Sequence, residues 1–237
     1  MNREYQKQYS RELERSMEVL VFGSSGLPAV IFPTSKGRFF DYEDRGMVAV
    51  VASKIERNEL QLFCVDSVDN ESWYNRAISA RDRVRRHINY EGYLLKELLP
   101  WIRSCNQSNQ LAVAGCSFGG YHALNFALRH PDLVSYCVSM GGAFDIHQFL
   151  DGYYDENCYF HCPPDYISNL TDEWYLSRYR QMTIVLATGE DDICRAENER
   201  ISRIMRAKQI PHRLDIWGDH TGHDWPWWQR MEAKFFL

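Results

Sequence analysis

Residues 111–129 read LAVAGCSFGGYHALNFALR, and this stretch decides the fold. Residues 111–114 form a continuous apolar run, the pattern of a strand buried on both faces of a parallel sheet. Residues 118–129 read as a helix. Between them lies Gly115-Cys116-Ser117-Phe118-Gly119-Gly120, so a strand must turn straight into a helix with a serine at the bend. Glycines two before and two after Ser117 permit the close backbone approach that such a bend forces, and the bend lifts Ser117 Oγ above the sheet. The free N–H groups of the helix start then favour negative charge beside it. Cys116 is a rival nucleophile by chemistry, but its place in the bend points it elsewhere.

The rest of the chain supplies more strands and helices in alternation. Residues 3–13 and 17–23 read as two opening strands, forming a hairpin. Residues 29–32 (AVIF) are a short buried strand ended by Pro33. Apolar residues at helical spacing run over 42–54, and 60–65 is another strand. Residues 76–104 carry helical periodicity, with Pro100 expected to kink the helix or start a new turn. Strands follow at 134–140, 183–187 and 213–217, and helices at 195–208 and 225–236. Residues 141–180 are irregular and aromatic-rich. Alternating strands and helices imply parallel pairing through βαβ crossovers. The expected class is α/β with three layers and a mostly parallel central sheet with an antiparallel N-terminal edge. Neither an internal repeat nor a low-complexity linker appears, so residues 1–237 are read as one domain with an aromatic-rich insert at about 144–180.

A serine nucleophile needs a base, and the base needs a carboxylate to orient it. Two late strands end in loops that carry these groups. The strand at 183–187 runs into Thr188-Gly189-Glu190-Asp191-Asp192, and the strand at 213–217 into Gly218-Asp219-His220-Thr221-Gly222-His223-Asp224. Both loops lie beyond carboxyl ends of strands, where open α/β sheets place their ligand chemistry. Three acids and two histidines are thus candidates. Among the other histidines, His87 is expected on a solvated helical face. His122 and His130 are expected to be structural or exposed, and His147 and His161 lie in the insert within possible reach of substrate. An oxyanion hole needs two backbone N–H donors. Phe118 supplies one, and Thr34 or Ser35, in the loop after residues 29–32, supplies the other because Pro33 has no N–H.

Composition narrows the partners. Lys and Arg number 27 against 32 Asp and Glu, a net charge of −5, which does not suit nucleic acid or an anionic membrane. No apolar run reaches the roughly 18–20 residues of a membrane span. Residues 1–16 are charged and polar, without the apolar stretch of a secretory leader. The seven cysteines are an odd number and mostly sit in apolar contexts, so reduced thiols in a cytoplasmic protein are expected. Cys158, His161 and Cys162 have the spacing of half a zinc site, but a second ligand pair is missing and no metal is expected.

GCSFGG, the GEDD loop, the TGHDWPWW tail and the FPTSKGRF loop together resemble the putative-esterase family of α/β-hydrolases, the esterase D-like group. The resemblance covers nearly the whole chain. It implies a three-layer α/β-hydrolase fold and a triad of Ser117, Asp192 and His223. It also implies acyl-enzyme chemistry on a small-molecule ester, with neither metal nor organic cofactor. The chain departs from the family in an oxyanion loop that is not glycine-rich. The function expected is therefore a serine carboxylic-ester hydrolase. The alternatives are an acyltransferase using the same acyl-enzyme and a hydrolase-fold interaction protein. In this fold the segment 144–170 would form a cap or pocket wall, with Phe144, Tyr153, Tyr154, Tyr159 and Phe160 as its aromatics and Trp73 opposite. The natural acyl and alcohol groups and the oligomeric state are not legible.

Overall fold

The computed structural model describes residues 1–236. Eight strands form one sheet: β1 (Arg3–Ser10), β2 (Arg15–Phe22), β3 (Leu27–Phe32), β4 (Leu60–Val65), β5 (Ala112–Cys116), β6 (Tyr136–Met140), β7 (Thr183–Gly189) and β8 (Arg213–Trp217). Their order across the sheet is β1-β2-β4-β3-β5-β6-β7-β8. β1 pairs antiparallel with β2, and β2 with β4. All remaining pairs are parallel. The antiparallel edge at the N-terminus and the parallel body are those read from the sequence.

Helices cover both faces. Along the chain they are α1 (Asp41–Asp44), α2 (Met47–Val50), α3 (Ala52–Glu56), α4 (Ala80–Tyr93), α5 (Leu99–Cys105), α6 (Phe118–Arg129), α7 (Glu156–Phe160), α8 (Pro163–Asn169), α9 (Glu173–Tyr179), α10 (Arg195–Ala207) and α11 (Trp225–Phe235). The period-2 alternation of the strands sorts the core into two layers. Val113, Cys137, Ile184 and Leu186 pack with α4, α5, α6 and α10. Ala112, Ala114, Val138, Met140, Val185 and Ala187 pack with α1–α3 and α11. α6 is buried from Phe118 to Leu128. It therefore turns no face to solvent before its last residue, and its polar His122 and Asn125 find partners inside.

Three stretches differ from the sequence reading. The helix expected over 42–54 is three short helices, because Gly46 takes φ +72 between the first two. A left-handed residue ends the helical ladder, and glycine adopts it without strain. The segment at 76–104 begins only at Ala80, where Ser79 Oγ accepts the N–H of Asp82. It then passes through a π-helical turn (Leu94–Leu98) into α5, with Pro100 near the start of α5, so the missing N–H falls where the hydrogen-bond ladder changes register. The insert, expected to be irregular, holds α7, α8 and α9. Their start signals are local: Asp155 caps Cys158 N–H, Pro163 and Pro164 open α8, and Asp172 caps Trp174 N–H. Among the described residues, no helix is long and apolar enough to cross a membrane.

Candidate active site

The bend between β5 and α6 is as tight as its glycines require. Ser117 sits at φ +55 and ψ −122, a conformation that costs a non-glycine residue about 1–3 kcal/mol. It is held there from both sides: Ser117 N–H donates to Met140 O at 2.8 Å, and Ser117 O accepts Gly120 N–H at 2.9 Å. A Cβ on Gly115 would collide with the backbone of Gly119, and one on Gly119 with the carbonyls of Phe32 and Pro33. The first turn of α6 thus lies directly against the loop that leaves β3. Cys116 is buried, and that burial pushes its thiol well above its ordinary pKa.

Ser117 Oγ lies 2.9 Å from His223 Nε2, and His223 Nδ1 lies 2.8 Å from Asp192 Oδ1. The Ser117 end of this chain rises from the carboxyl end of β5. The Asp192 and His223 ends come from the loops after β7 and β8. Asp192 is almost fully buried; burial alone would raise its pKa. Hydrogen bonds from His223 and from Cys194 N–H (2.7 Å) outweigh that and hold the carboxyl below its ordinary value. The Trp228 ring meets the His223 ring edge to face at 4.9 Å and fixes its plane. The neighbouring acid and imidazole form a separate pair: Asp191 Oδ2 lies 3.0 Å from His220 Nδ1, and the His220 side chain is 92% exposed. That pairing raises the His220 pKa.

Gly141 lies beneath this arrangement at φ +58. A Cβ there would approach Asp192 Oδ2 at 2.8 Å and His223 Nδ1 at 3.0 Å. Gly141→Ala should therefore cost about 1–2 kcal/mol of stability from the left-handed backbone alone. By displacing the imidazole it should also lower kcat about 100-fold. Urea unfolding and ester turnover on the purified variant read the two effects separately; wild-type turnover would show that the imidazole has not moved.

The loop after β3 carries the other candidate N–H donors. Thr34 is half-buried and its carbonyl accepts Gly37 N–H at 2.8 Å. Ser35 is exposed, and its Oγ accepts the Tyr74 hydroxyl at 2.8 Å. The loop is tied down by a buried carboxylate. Asp69 Oδ2 accepts Lys36 N–H at 3.1 Å, while Asp69 Oδ1 lies 2.9 Å from His122 Nε2 on α6. Phe118 opens α6, so its N–H has no carbonyl one turn back to bond.

The aromatics expected to wall a pocket do not converge. Trp73 and Phe144 are fully buried core residues, with Trp73 packed on His87, Tyr121 and Phe149. They therefore offer no open wall. Tyr153 is half-buried and donates to Asp155, and Tyr154 is exposed and stacked on His147. Tyr159 lines a groove with Leu128, Leu170, Trp174 and Tyr175, and Phe160 lies at the same place. That groove is at the C-terminal end of α6, about 18 Å of helix away from Ser117. Sequence reading missed Tyr74, whose ring meets Phe118 edge-on at 5.4 Å. The Trp73-Tyr74 pair in the loop after β4 was the available signal.

The histidines need a second correction. His87, expected on a solvated face, is buried beside His122 and His161 against α6. Burial pushes the His87 pKa well down, and burial with the nearby Arg129 charge lowers His161 to about 3. Both stay neutral in the fold but protonate near pH ~6.5 when the chain unfolds. Their contribution is thus complete above about pH 6.5 and is lost as pH falls toward the folded values. His161→Gln, which keeps an acceptor for Asn125, should flatten the fall in unfolding free energy between about pH 6.5 and 4. Denaturant titrations across that range test this, and an unchanged slope would contradict it.

A family model described as "Putative esterase" matches residues 10–233. No curated protein sequence gives a significant match. Among solved structures, a ferulic acid esterase superposes with a TM-score of 0.78 at 17% identity, covering 98% of this chain and 95% of its own. The S-formylglutathione hydrolase FrmB of Staphylococcus aureus gives 0.71 at 15%, covering 98% and 94%. The CE1 ferulic acid esterase AmCE1/Fae1A of Anaeromyces mucronatus, solved with ferulic acid, gives 0.76 at 13%, covering 99% and 89%. At these identities the likeness speaks for the fold, which is that of the α/β-hydrolases.

Proposed function

The chain belongs to the putative esterase family and is a carboxylic ester hydrolase; from that premise we propose that it works through an acyl-enzyme on Ser117, with His223 as base and Asp192 as its orienting acid. The observation that carries this reading is the unbroken run of hydrogen-bond distances, 2.9 Å from Ser117 Oγ to His223 Nε2 and 2.8 Å from His223 Nδ1 to Asp192 Oδ1.

The steps follow from those positions. Asp192, ionised and buried, accepts a hydrogen bond from His223 Nδ1–H, which keeps the proton on Nδ1 and leaves Nε2 free to receive the Ser117 proton. Ser117 Oγ attacks the ester carbonyl, and the tetrahedral oxyanion is met by the N–H groups of Phe118 and of Thr34. Thr34 is preferred over Ser35 because it adjoins Pro33, whose carbonyl abuts the start of α6, and because Ser35 is exposed and engaged with Tyr74. His223 returns its proton to the departing alcohol. Water, activated by the same imidazole, then releases the acid. We take residues 1–237 as one catalytic domain and place it in a reducing, cytoplasmic compartment, where seven free cysteines, six of them buried, persist.

Hydrolysis of p-nitrophenyl acetate tests the reading, and added alcohol acceptors measure transfer against hydrolysis. We expect turnover with water as the main acceptor. Absence of turnover by the folded protein would overturn the enzymatic reading, and preferential esterification of the added alcohol would make the protein an acyltransferase.

A further inference from the structure

A second cluster of chemically active side chains shares no residue with Ser117, Asp192 or His223. It lies where the chain leaving β6 meets the insert. Asp145, His147 and Cys162 each place one ligand atom so that all three atoms fall within 4.8 Å of one another. His147 Nδ1 lies 2.6 Å from Asp145 Oδ1 and 3.8 Å from Cys162 Sγ. Ligand atoms around a tetrahedral ion with bonds of ~2.0–2.3 Å are separated by roughly 3.3–3.7 Å. The sulfur and nitrogen already stand at about that spacing, and the Asp145 carboxylate has to open by about 1 Å.

The outer partners of two of the three ligands are also in place. Asp165 Oδ2 lies 3.3 Å from His147 Nε2, the ring nitrogen other than the one beside Asp145 and Cys162, and Tyr154 OH donates to that same Oδ2 at 2.5 Å. The Tyr154 ring stacks on the His147 ring at 5.3 Å with 2° between the planes. Arg200 Nη1 donates to Asp145 Oδ2 at 2.7 Å, and Oδ1, the oxygen beside His147 Nδ1, also accepts His147 N–H at 3.0 Å. A carboxylate behind a ligating histidine is the arrangement that orients imidazoles on metal ions. Cys162, fully buried, forms the floor, and His147, half-exposed, forms the open side.

We propose that Asp145, His147 and Cys162 bind a divalent transition ion of the zinc class, with water as fourth ligand, and so clamp the start of the insert to the junction of α7 and α8. Thiolate plus imidazole selects zinc or cobalt over calcium or magnesium. Binding replaces the Cys162 S–H bond with an S–metal bond and releases the proton to solvent. Cys158 and His161, the partners that sequence spacing suggested for Cys162, do not belong to the cluster; His161 Nδ1 lies 3.2 Å from Asn125 Nδ2 instead. Nearness in sequence did not identify the ligands, because successive residues of a helical turn point in different directions.

Among the described residues, one other cluster meets the same distance criterion: Asp192, Cys194 and His223. An ion there would engage the imidazole proposed as the base, so the two positions are separable. The experiment titrates the full chain with Co(II), reading the thiolate-to-cobalt charge-transfer absorption, with p-nitrophenyl acetate turnover and thermal unfolding measured alongside. We expect one equivalent bound, displaced by Zn(II), with the band lost in Cys162→Ala and in His147→Ala but kept in Cys194→Ala. Asp165→Asn should weaken binding about 10–100-fold. Zn(II) should raise the unfolding temperature of the wild type and not of His147→Ala, whose side chain is half-exposed. Lack of a thiolate band at large cobalt excess would overturn the proposal. So would a band that survives Cys162→Ala or disappears in Cys194→Ala.

Discussion

Ser117→Ala is expected to lower kcat by roughly 10⁶-fold. Removing the hydroxyl removes the atom that forms the acyl bond, and no neighbour can replace it: Cys116, the adjacent thiol, is buried with its pKa pushed up. What remains is the binding of the ester and the polarisation of its carbonyl by the helix-start N–H groups, worth roughly 10³-fold over water in enzymes of this kind. Stability should change little: alanine gives up the Oγ hydrogen bond to His223 but keeps the backbone contacts to Met140 and Gly120 that hold the bend. Steady-state turnover of an activated ester, with unfolding followed in parallel, measures both. Near-wild-type kcat in the folded variant would remove Ser117 from the mechanism.

Asp192→Asn should reduce kcat by about 10⁴-fold while Asp191→Asn changes it only a few-fold. The two carboxylates are adjacent in sequence and equal in charge, but they meet different imidazoles. Asp192 accepts from His223, which reaches Ser117, whereas Asp191 pairs with the solvent-facing His220. An amide at position 192 can donate to Nδ1, which favours the tautomer with its proton on Nε2, the nitrogen that must receive the serine proton. The depressed pKa of Asp192 adds a stability signature. Its contribution is present above the ordinary aspartate range and is lost as pH falls through the lower folded value. Asp192→Asn should therefore unfold with less dependence on acid than the wild type. Assaying both variants with one ester, each checked by circular dichroism, compares them directly; the reverse ranking would move the acid to Asp191.

How much of this was legible depends on which physical signal each feature leaves. The strand at 60–65, the helix at 118–129 and the strand at 213–217 are read to the residue, because apolar runs and turn residues bound them sharply. The bend at Ser117 is legible because only glycine fits where backbone meets backbone, so steric demand is written as composition. The pairing of acids with histidines is not. Three acids follow Gly189, and a one-residue shift turns a side chain to another side, so spacing alone leaves Asp191 and Asp192 equivalent. The pocket aromatics are illegible for a related reason. Trp73 and Phe144 are apolar whether they face a cleft or the core, and here they face the core. His87 sits between charged neighbours in sequence, but its own helical face turns inward, where it meets His122 and His161.

The measurement that bears most directly on the central claim is trapping of the acyl-enzyme. The protein is mixed with excess p-nitrophenyl ester, quenched in acid within the first turnover, digested, and mapped by mass. The account predicts a burst of p-nitrophenol and one acyl group, carried by the peptide that contains Ser117 and assigned to that residue by fragmentation. An acyl group on Cys116, Cys194 or a loop serine, or steady turnover with no burst and no acyl group on the protein after the quench, would contradict it.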